Sequence, residues 1–307
     1  MKNAQKSNPL FKFQALILAL SLSVMCIAGV IAPLKAYANE TDEIYCEEEI
    51  YYCDDEVYYD DPTYNGEGGQ VSAFFEIDCD SFVATADYEH PSVPSFGTGS
   101  LSNACAVMAG TNILAFYDRW MTNLIPSYTP GMMNTGVNGT RFFDYFPNNN
   151  LTPITTLMNS LYQLMGTTAA NGTTANQFRS GMQSYVSGKG YSISYDSCYQ
   201  NSTTVNLTKI RQAVENDKIA LIMCSTYNFV YDVYQNANGV AVNKIDANRG
   251  HMMFVYGYVS YAFYKNGANI RNETFLYVSS GYQSGEQGYI MLNDHLTIEE
   301  AYVVTIS

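Results

Sequence analysis

The sequence is poor in histidine and in basic residues, and each shortage argues against one class of partner. Only three histidines occur in 307 residues, and the cysteines do not form paired Cys-x-x-Cys motifs, so a structural zinc site has little support. Lysine and arginine number 15 against 29 acidic residues, which gives a net charge of -14. We therefore expect neither nucleic acid nor an anionic membrane surface as a partner.

The N-terminal region has the pattern of a secretory signal peptide. Three lysines precede an apolar run from about residue 15 to 31, and Ala36-Tyr37-Ala38 then supplies the small-x-small pattern that signal peptidase recognises. The run is a little short for a membrane span, and no second apolar stretch approaches that length. We predict a signal peptide over residues 1–38 and a secreted or cell-surface protein. An uncleaved anchor helix is the alternative.

Residues 39–70 form an acidic segment that is rich in tyrosine. Acid clusters alternate with tyrosine pairs between Glu40 and Asp61, and glycines at 66, 68 and 69 mark a flexible junction. Because its charges repel one another and few aliphatic residues can be buried, we interpret the segment as a solvated spacer. A pro-segment that covers a site in the folded domain is the alternative.

Residues 71–307 are long enough for one domain with a sizeable core. Periodicity and capping predict helices at about 102–120, 153–165, 174–186 and 207–216. Apolar or alternating runs predict strands at 191–195, 219–224, 251–259, 275–279, 288–292 and 302–306. Because most helices precede the strands, the predicted fold class is α+β, with an N-terminal helical half and a C-terminal antiparallel sheet.

Cys105 lies where the first of these helices is predicted to begin, with Ser102 or Asn103 as its cap. A cysteine in the first turn of a helix is close to the positive end of the helix dipole and to unpaired N–H groups. Both favour the thiolate, which is the nucleophilic form of cysteine. A small buried residue, or half of a disulfide in an exported protein, is the alternative reading.

His251 opens an apolar strand directly after the polar turn at 248–250. In that position its ring can face a cleft while the following residues fill the core. It follows Cys105 by about 146 residues, within the roughly 130 to 150 residues that separate the cysteine and histidine of papain-type enzymes. His90, which precedes Pro91 in a predicted loop, has no comparable setting. An ordinary, partly buried histidine is the alternative.

Three segments together resemble papain-like bacterial cysteine peptidases, in particular streptopain-like and bacteriocin-leader-peptidase-like proteins. Asn103 to Asp118 is similar to their nucleophile helix, and Gly250-His251 with its strand is similar to their histidine motif. Val278 to Tyr282, followed by Gly288 to Ile290, is similar to the segment that carries their orienting Asn or Asp. The likeness covers residues 99–307 in order and spacing.

The resemblance implies a papain-like two-part fold with a cleft between the halves, and hydrolysis of a peptide or protein substrate without a cofactor. Cys105 would attack the carbonyl carbon, and His251 would hold the proton and then give it to the leaving amine. The Cys105 N–H and the nearby side-chain amide of Asn103 would bind the oxyanion. Ser279 and Ser280 stand where the family has Asn or Asp, and a serine hydroxyl can accept a hydrogen bond from the histidine ring.

Two departures from the family pattern define the alternative function. Ser279 and Ser280 carry no charge, and residues 97–102 lack the Gln that usually precedes the cysteine. A non-catalytic domain of the same fold, serving as an extracellular binding or adhesion module, would tolerate both changes. A second enzymatic possibility is acyl transfer, in which an amine replaces water.

The pro-segment hypothesis makes a direct prediction about activity. If residues 40–61 cover the active site of the peptidase, their removal is expected to raise the rate of peptide hydrolysis because the substrate no longer competes with them. The measurement compares the mature chain with a chain that lacks these residues. Equal rates would reject the pro-segment and leave the solvated spacer.

Overall fold

A computed structural model describes residues 72–121, 123–135, 141–146, 151–199, 205–236, 239–247, 250–282, 287–292 and 296–307. The predicted signal peptide and acidic segment lie outside the described residues. The helices are α1 (Cys105–Asp118), α2 (Thr152–Leu164), α3 (Ala175–Gly188) and α4 (Leu207–Glu215). None of the helices in these ranges is long and apolar enough to cross a membrane.

Eleven strands are formed within the same ranges. They are β1 (Ser72–Ile77), β2 (Ser81–Glu89), β3 (Gly131–Thr135), β4 (Arg141–Asp144), β5 (Ile193–Ser197), β6 (Ile219–Asn236), β7 (Gly239–Ala247), β8 (His251–Lys265), β9 (Ala268–Ser279), β10 (Gln287–Met291) and β11 (Thr297–Ile306). Nine belong to one antiparallel sheet, and β3 pairs only with β4.

The long strand β6 organises the large sheet, which runs β1-β7-β6-β10-β9-β8-β2, with β11 pairing to both β6 and β5. The first part of β6, residues 220–224, also pairs with β8, while its later part pairs with β7 and β10. Pairing of β6 with both β8 and β10 closes β6, β10, β9 and β8 into a ring. The start of β8 is thereby held against β6 and β9 at once.

The predicted α+β fold with a helical half and a papain-like arrangement is wrong. Antiparallel sheet dominates the described part of the chain, where strands hold about twice as many residues as helices. Strands β1 and β2 precede α1, and both join the large sheet, so the sheet is not confined to the C-terminal end. The helices lie where the sequence predicts them. Helices α1 and α4 pack against strands of the large sheet, whereas α2 packs against α1 and α3.

The strand content was underestimated because much of it faces solvent. Residues 268–272 of β9 are exposed and mostly polar, and even Ile270 among them is exposed. Most of β2 is exposed as well. Backbone pairing with β8 holds both segments in the sheet although they lack an apolar run. Hydrophobic periodicity detects only the buried part of such strands.

Helix α1 lies at the centre of the core. All its residues except Cys105 are buried, which fits its apolar composition. On one side Phe116 contacts Phe254 of β8, with ring centroids 5.8 Å apart. On the other side Gly110 leaves room for Met182 of α3. Helix α4 packs against the other face of the sheet, on side chains that alternate along the strands with those facing α1. Met253 is among them.

Asp118 ends α1 as a fully buried carboxylate. Its Oδ1 accepts a hydrogen bond of 2.8 Å from the Ile125 amide, while its Oδ2 has no partner among the described residues. Burial raises the pKa of Asp118 to about 7, against the opposing effect of the backbone N–H groups of Ile125 and Leu124. The carboxylate form is therefore tolerated at a cost in stability.

Asp118→Asn is expected to stabilise the protein at neutral and higher pH. Since the folded-state pKa lies above the unfolded value of about 3.9, the wild-type protein loses stability as the pH rises from about 4 to 7. The variant should lack this loss, so that its advantage in unfolding free energy grows from near zero below pH 4 to at most about 4 kcal/mol above pH 7. Urea denaturation across pH measures the difference.

Asp196→Asn is the matched control. Asp196 is exposed and paired with Lys209, and its replacement is expected to change stability by less than about 1 kcal/mol. A difference between the Asp118 variant and the wild type that stays constant from pH 4 to 8 would contradict the assignment.

Candidate functional site

An open cleft of about 600 Å³ lies where the start of α1 meets three sheet strands. One wall is the segment 170–175 that leads into α3. The strands β6, β8 and β11 contribute the other residues. Cys105 and His251 both line this cleft, so the fold brings the two predicted catalytic residues into one site.

Cys105 is the first residue of α1 and is half-buried. Ala104 occupies the N-cap position, and its backbone carbonyl accepts the first helical hydrogen bond from Met108 at 2.9 Å. No side chain in the described ranges caps this helix end. The N–H groups of the first turn and the helix dipole therefore favour an anion at the cleft, which is the condition for a thiolate.

Asn103 lines the cleft beside Cys105 and has a positive φ of 51°. Its side-chain Nδ2 donates a hydrogen bond to the carbonyl of Ala169, across the base of the wall segment. Gly172 lies beside Asn103, since an added Cβ would be in ordinary contact with the Asn103 carbonyl oxygen at 3.5 Å. Asn103 thus fixes the wall in this structure, and its predicted role at the oxyanion stays a prediction.

His251 is buried at the first position of β8, opposite Cys224 of β6 in the sheet register. Its Nε2 lies 2.9 Å from the carbonyl oxygen of Ser280. Because a carbonyl can only accept a hydrogen bond, Nε2 carries the hydrogen, and Nδ1 is the basic nitrogen of the neutral ring. This bond fixes both the tautomer and the orientation of the imidazole.

Two tyrosine rings restrict the His251 ring further. The Tyr282 ring is stacked on the imidazole with centroids 4.6 Å apart, and the Tyr227 ring lies nearly parallel to it at 5.6 Å. The two tyrosine hydroxyls are hydrogen-bonded to each other. The electron-rich faces of these rings stabilise a protonated imidazole, and their bulk keeps water from the bond to Ser280.

Ser279, the predicted orienting residue, has other hydrogen-bond partners. Its hydroxyl donates to Ser95 Oγ at 3.1 Å and accepts from Asn112 Nδ2 at 3.3 Å. The group that contacts the imidazole is the main-chain carbonyl of the next residue, Ser280. A backbone carbonyl has no residue signature, so sequence reasoning could not identify it.

Asn112 is a positioning residue that the sequence analysis missed. It is fully buried in α1, and its Oδ1 accepts a hydrogen bond of 2.9 Å from the Phe96 amide. Its Nδ2 donates to the Phe96 carbonyl and to Ser279 Oγ, both at 3.3 Å. The side chain thereby ties α1 to the end of β9. A lone amide within an otherwise apolar helix is the signal that could have found it.

The turn after β9 is docked on α1 through Gly281. This residue has a φ of 77°, and a Cβ added to it would lie 3.0 Å from Met108 Cβ, one turn along the helix from Cys105. Its carbonyl accepts a hydrogen bond of 3.1 Å from the Thr98 amide. The docking sets the Ser280 carbonyl relative to the helix that carries the thiol.

His90 lies at the opposite end of α1, against the ring of Phe116. It is buried and contacts Arg119 and Asp217 through Nε2 at 3.1 Å and 2.9 Å. Burial and the Arg119 cation lower the pKa of His90 to about 4, so its ring is neutral at pH 7. His90 is therefore a core residue away from the cleft.

No family model, curated protein or solved structure matches this chain. The resemblance to papain-like peptidases stays an expectation from the sequence. Within the described ranges, no group of three or more His, Cys, Asp or Glu residues is placed to hold a metal ion.

Gly281→Ala is expected to damage the site as well as the fold. The left-handed backbone alone costs about 1–2 kcal/mol for a residue with a Cβ, and the contact with Met108 adds to this by pushing the turn away from α1. The Ser280 carbonyl then moves away from His251, which weakens its hydrogen bond to the imidazole. We expect lower stability in urea and slower alkylation of Cys105 at pH 6.

Gly267→Ala provides the matched control. Gly267 has a similar φ of 75°, but an added Cβ would meet nothing within 4 Å. Gly267→Ala should lose stability in urea because of its left-handed backbone alone. The rate of Cys105 alkylation at pH 6 should not change. Identical stability losses and identical alkylation rates in the two variants would contradict a role for Gly281 in holding the site.

Proposed function

We propose that this chain is an exported cysteine peptidase in which Cys105 is the nucleophile and His251 is its base. The observation that carries the proposal is their placement in one cleft, with Cys105 at a helix start that none of the described side chains caps and His251 held by the Ser280 carbonyl. A thiol at a helix N-terminus and an imidazole of fixed tautomer are the two components of an activated cysteine.

The reaction follows from these positions. The Cys105 proton is transferred to Nδ1 of His251, since Nε2 already carries the hydrogen bonded to Ser280. The thiolate attacks the substrate carbonyl carbon, and the N–H groups at the start of α1 bind the oxyanion. The imidazolium then gives its proton to the leaving amine. Water, deprotonated by His251, releases the acyl group as a carboxylic acid and restores the thiol.

A peptide fits the uncharged wall of the cleft. The segment 170–175 has no charged residue, and Ala170, Gly172 and Ala175 leave room there because their side chains are small. An extended peptide can lie along such a wall without meeting a charge. We therefore take peptide bonds as the substrate class.

A non-catalytic binding module is the second candidate. It is favoured by the Ser280 carbonyl, which stabilises an imidazolium less than the carboxylate of an Asp would. In such a module the peptide would occupy the same cleft without being cleaved, and Cys105 would have an ordinary thiol pKa. The reactivity of the thiol therefore separates the two candidates.

The rate of iodoacetamide reaction at Cys105 across pH tests the ion pair. We expect rapid alkylation well below the ordinary thiol pKa of about 8.5, and a shift of the profile toward that value in His251→Ala. Peptide mapping by mass spectrometry identifies the modified residue. Cys198 is an internal control, because burial raises its pKa to about 11 and should keep it unreactive.

Hydrolysis of an internally quenched peptide library completes this test. Cys105→Ser should abolish cleavage while circular dichroism shows an unchanged fold. An ordinary pH profile in both the wild type and His251→Ala, together with no cleavage, would reject the peptidase and favour the binding module.

A further inference from the structure

Two carboxylates line the cleft, and they differ in their partners. Glu300 is paired with Arg179 and accepts a hydrogen bond of 2.6 Å from the Tyr302 hydroxyl. Glu299 is exposed, and none of the described basic side chains pairs with it. Glu299 therefore supplies the net negative charge of the described part of the cleft.

A β-bulge presents Glu299 at this position. In the pairing of β11 with β6, Ile298 lies opposite Cys224 and Glu300 lies opposite Met223, so Glu299 is the extra residue between two consecutive pairs. An extra residue in one strand bends that strand and changes the direction of its side chain, and bulges often occur beside active sites. The bulge therefore affects which side chain lines the cleft, in addition to the pairing of β11 with β6.

The same register relates Glu299 to the proposed catalytic histidine. Cys224, opposite Ile298 on β11, lies opposite His251 on β8. Two strand spacings separate β11 from β8, which places the backbones of Glu299 and His251 about 10 Å apart. The Glu299 charge acts within the cleft, where it adds to burial in raising the pKa of the Cys224 thiol.

We infer that Glu299 selects substrates that carry a lysine or arginine side chain within three residues of the scissile bond. This inference rests on the proposed function. A separation of about 10 Å from His251 is the span of a few residues of extended peptide, at about 3.3 Å each. The opposite wall, residues 170–175, is uncharged, and the net charge of -14 attracts cationic peptides over longer distances.

The test compares internally quenched peptides that are identical except for one position. That position carries lysine, neutral norleucine or glutamate, and it is moved through the three residues on either side of the cleaved bond. The wild type should cleave the best lysine peptide on the order of fivefold faster, in kcat/KM, than its norleucine counterpart. The preference should weaken as salt is added.

Three variants assign the preference to one side chain. Glu299→Gln should remove the lysine preference with little change for the norleucine peptide, and Glu299→Lys should reverse it in favour of glutamate. Glu89→Gln is the matched control, since Glu89 is exposed at the end of β2 and does not line the cleft. It should keep the wild-type preference.

The outcomes separate this inference from the proposed function. Cleavage that depends on Cys105 but is indifferent to charge would overturn the role of Glu299 and leave the peptidase standing. A lysine preference that survives in Glu299→Gln would also overturn it. Where no peptide is cleaved, binding of the same fluorescent peptides to Cys105→Ala is measured by anisotropy. Equal affinity for the lysine and norleucine peptides there would overturn the charge selection in a binding cleft as well.

Discussion

The hydrogen bond from His251 Nε2 to the Ser280 carbonyl is the contact on which the proposed chemistry depends. It determines which ring nitrogen is basic, and it holds the ring where α1 and β8 meet. A carbonyl is uncharged and cannot stabilise an imidazolium as a carboxylate does. Its advantage is rigidity, because a main-chain carbonyl has no side-chain rotamers to order. The turn that carries it is also docked on α1 through Gly281.

Several contacts elsewhere in the molecule maintain this one bond. Asn112 links α1 to the end of β9 through Ser279 and to the segment at Phe96. The pairing of β8 with both β6 and β9 prevents the start of β8 from shifting on its own. Tyr282 covers one face of the imidazole. These contacts hold α1 and the sheet together beside the cleft that Cys105 and His251 line.

The sequence predicted the helices and a buried part of β6, β8, β9 and β11, because these have clear hydrophobic periodicity. It ended β6 and β8 too early, before their buried residues 227–230 and 261–263. It also predicted that Cys105 starts a helix and that His251 starts a strand, and the structure brings the two into one cleft. The fold class was wrong because exposed strands such as the first half of β9 are polar. The Asn266-Gly267 turn that joins β8 to β9 was a usable hairpin signal, since both residues have positive φ.

The parts of the site that could not be predicted are those formed by backbone or by sheet register. The Ser280 carbonyl leaves no trace in residue identity, and the placement of Glu299 depends on a bulge that only the pairing of β11 with β6 defines. By contrast, Asn112 was visible as an amide within an apolar helix. Its importance depends on Ser279 and Phe96, which lie far from it in the sequence.

In the proposed enzyme, the Glu299 carboxylate must attract a substrate cation without preventing formation of the Cys105 thiolate. Its distance from His251 allows both. Two unit charges about 10 Å apart in water interact by about 0.4 kcal/mol, whereas at 4 Å they interact by about 1 kcal/mol in water and about 4 kcal/mol near a protein surface. Transfer of the proton from Cys105 to His251 leaves the net charge of the pair unchanged, so a distant carboxylate affects the thiolate and the imidazolium in opposite directions. The attraction between Glu299 and a substrate cation in contact with it is not cancelled in this way. In the proposed enzyme, the same charge can therefore discriminate among substrates while it disturbs the proposed catalytic pair only slightly.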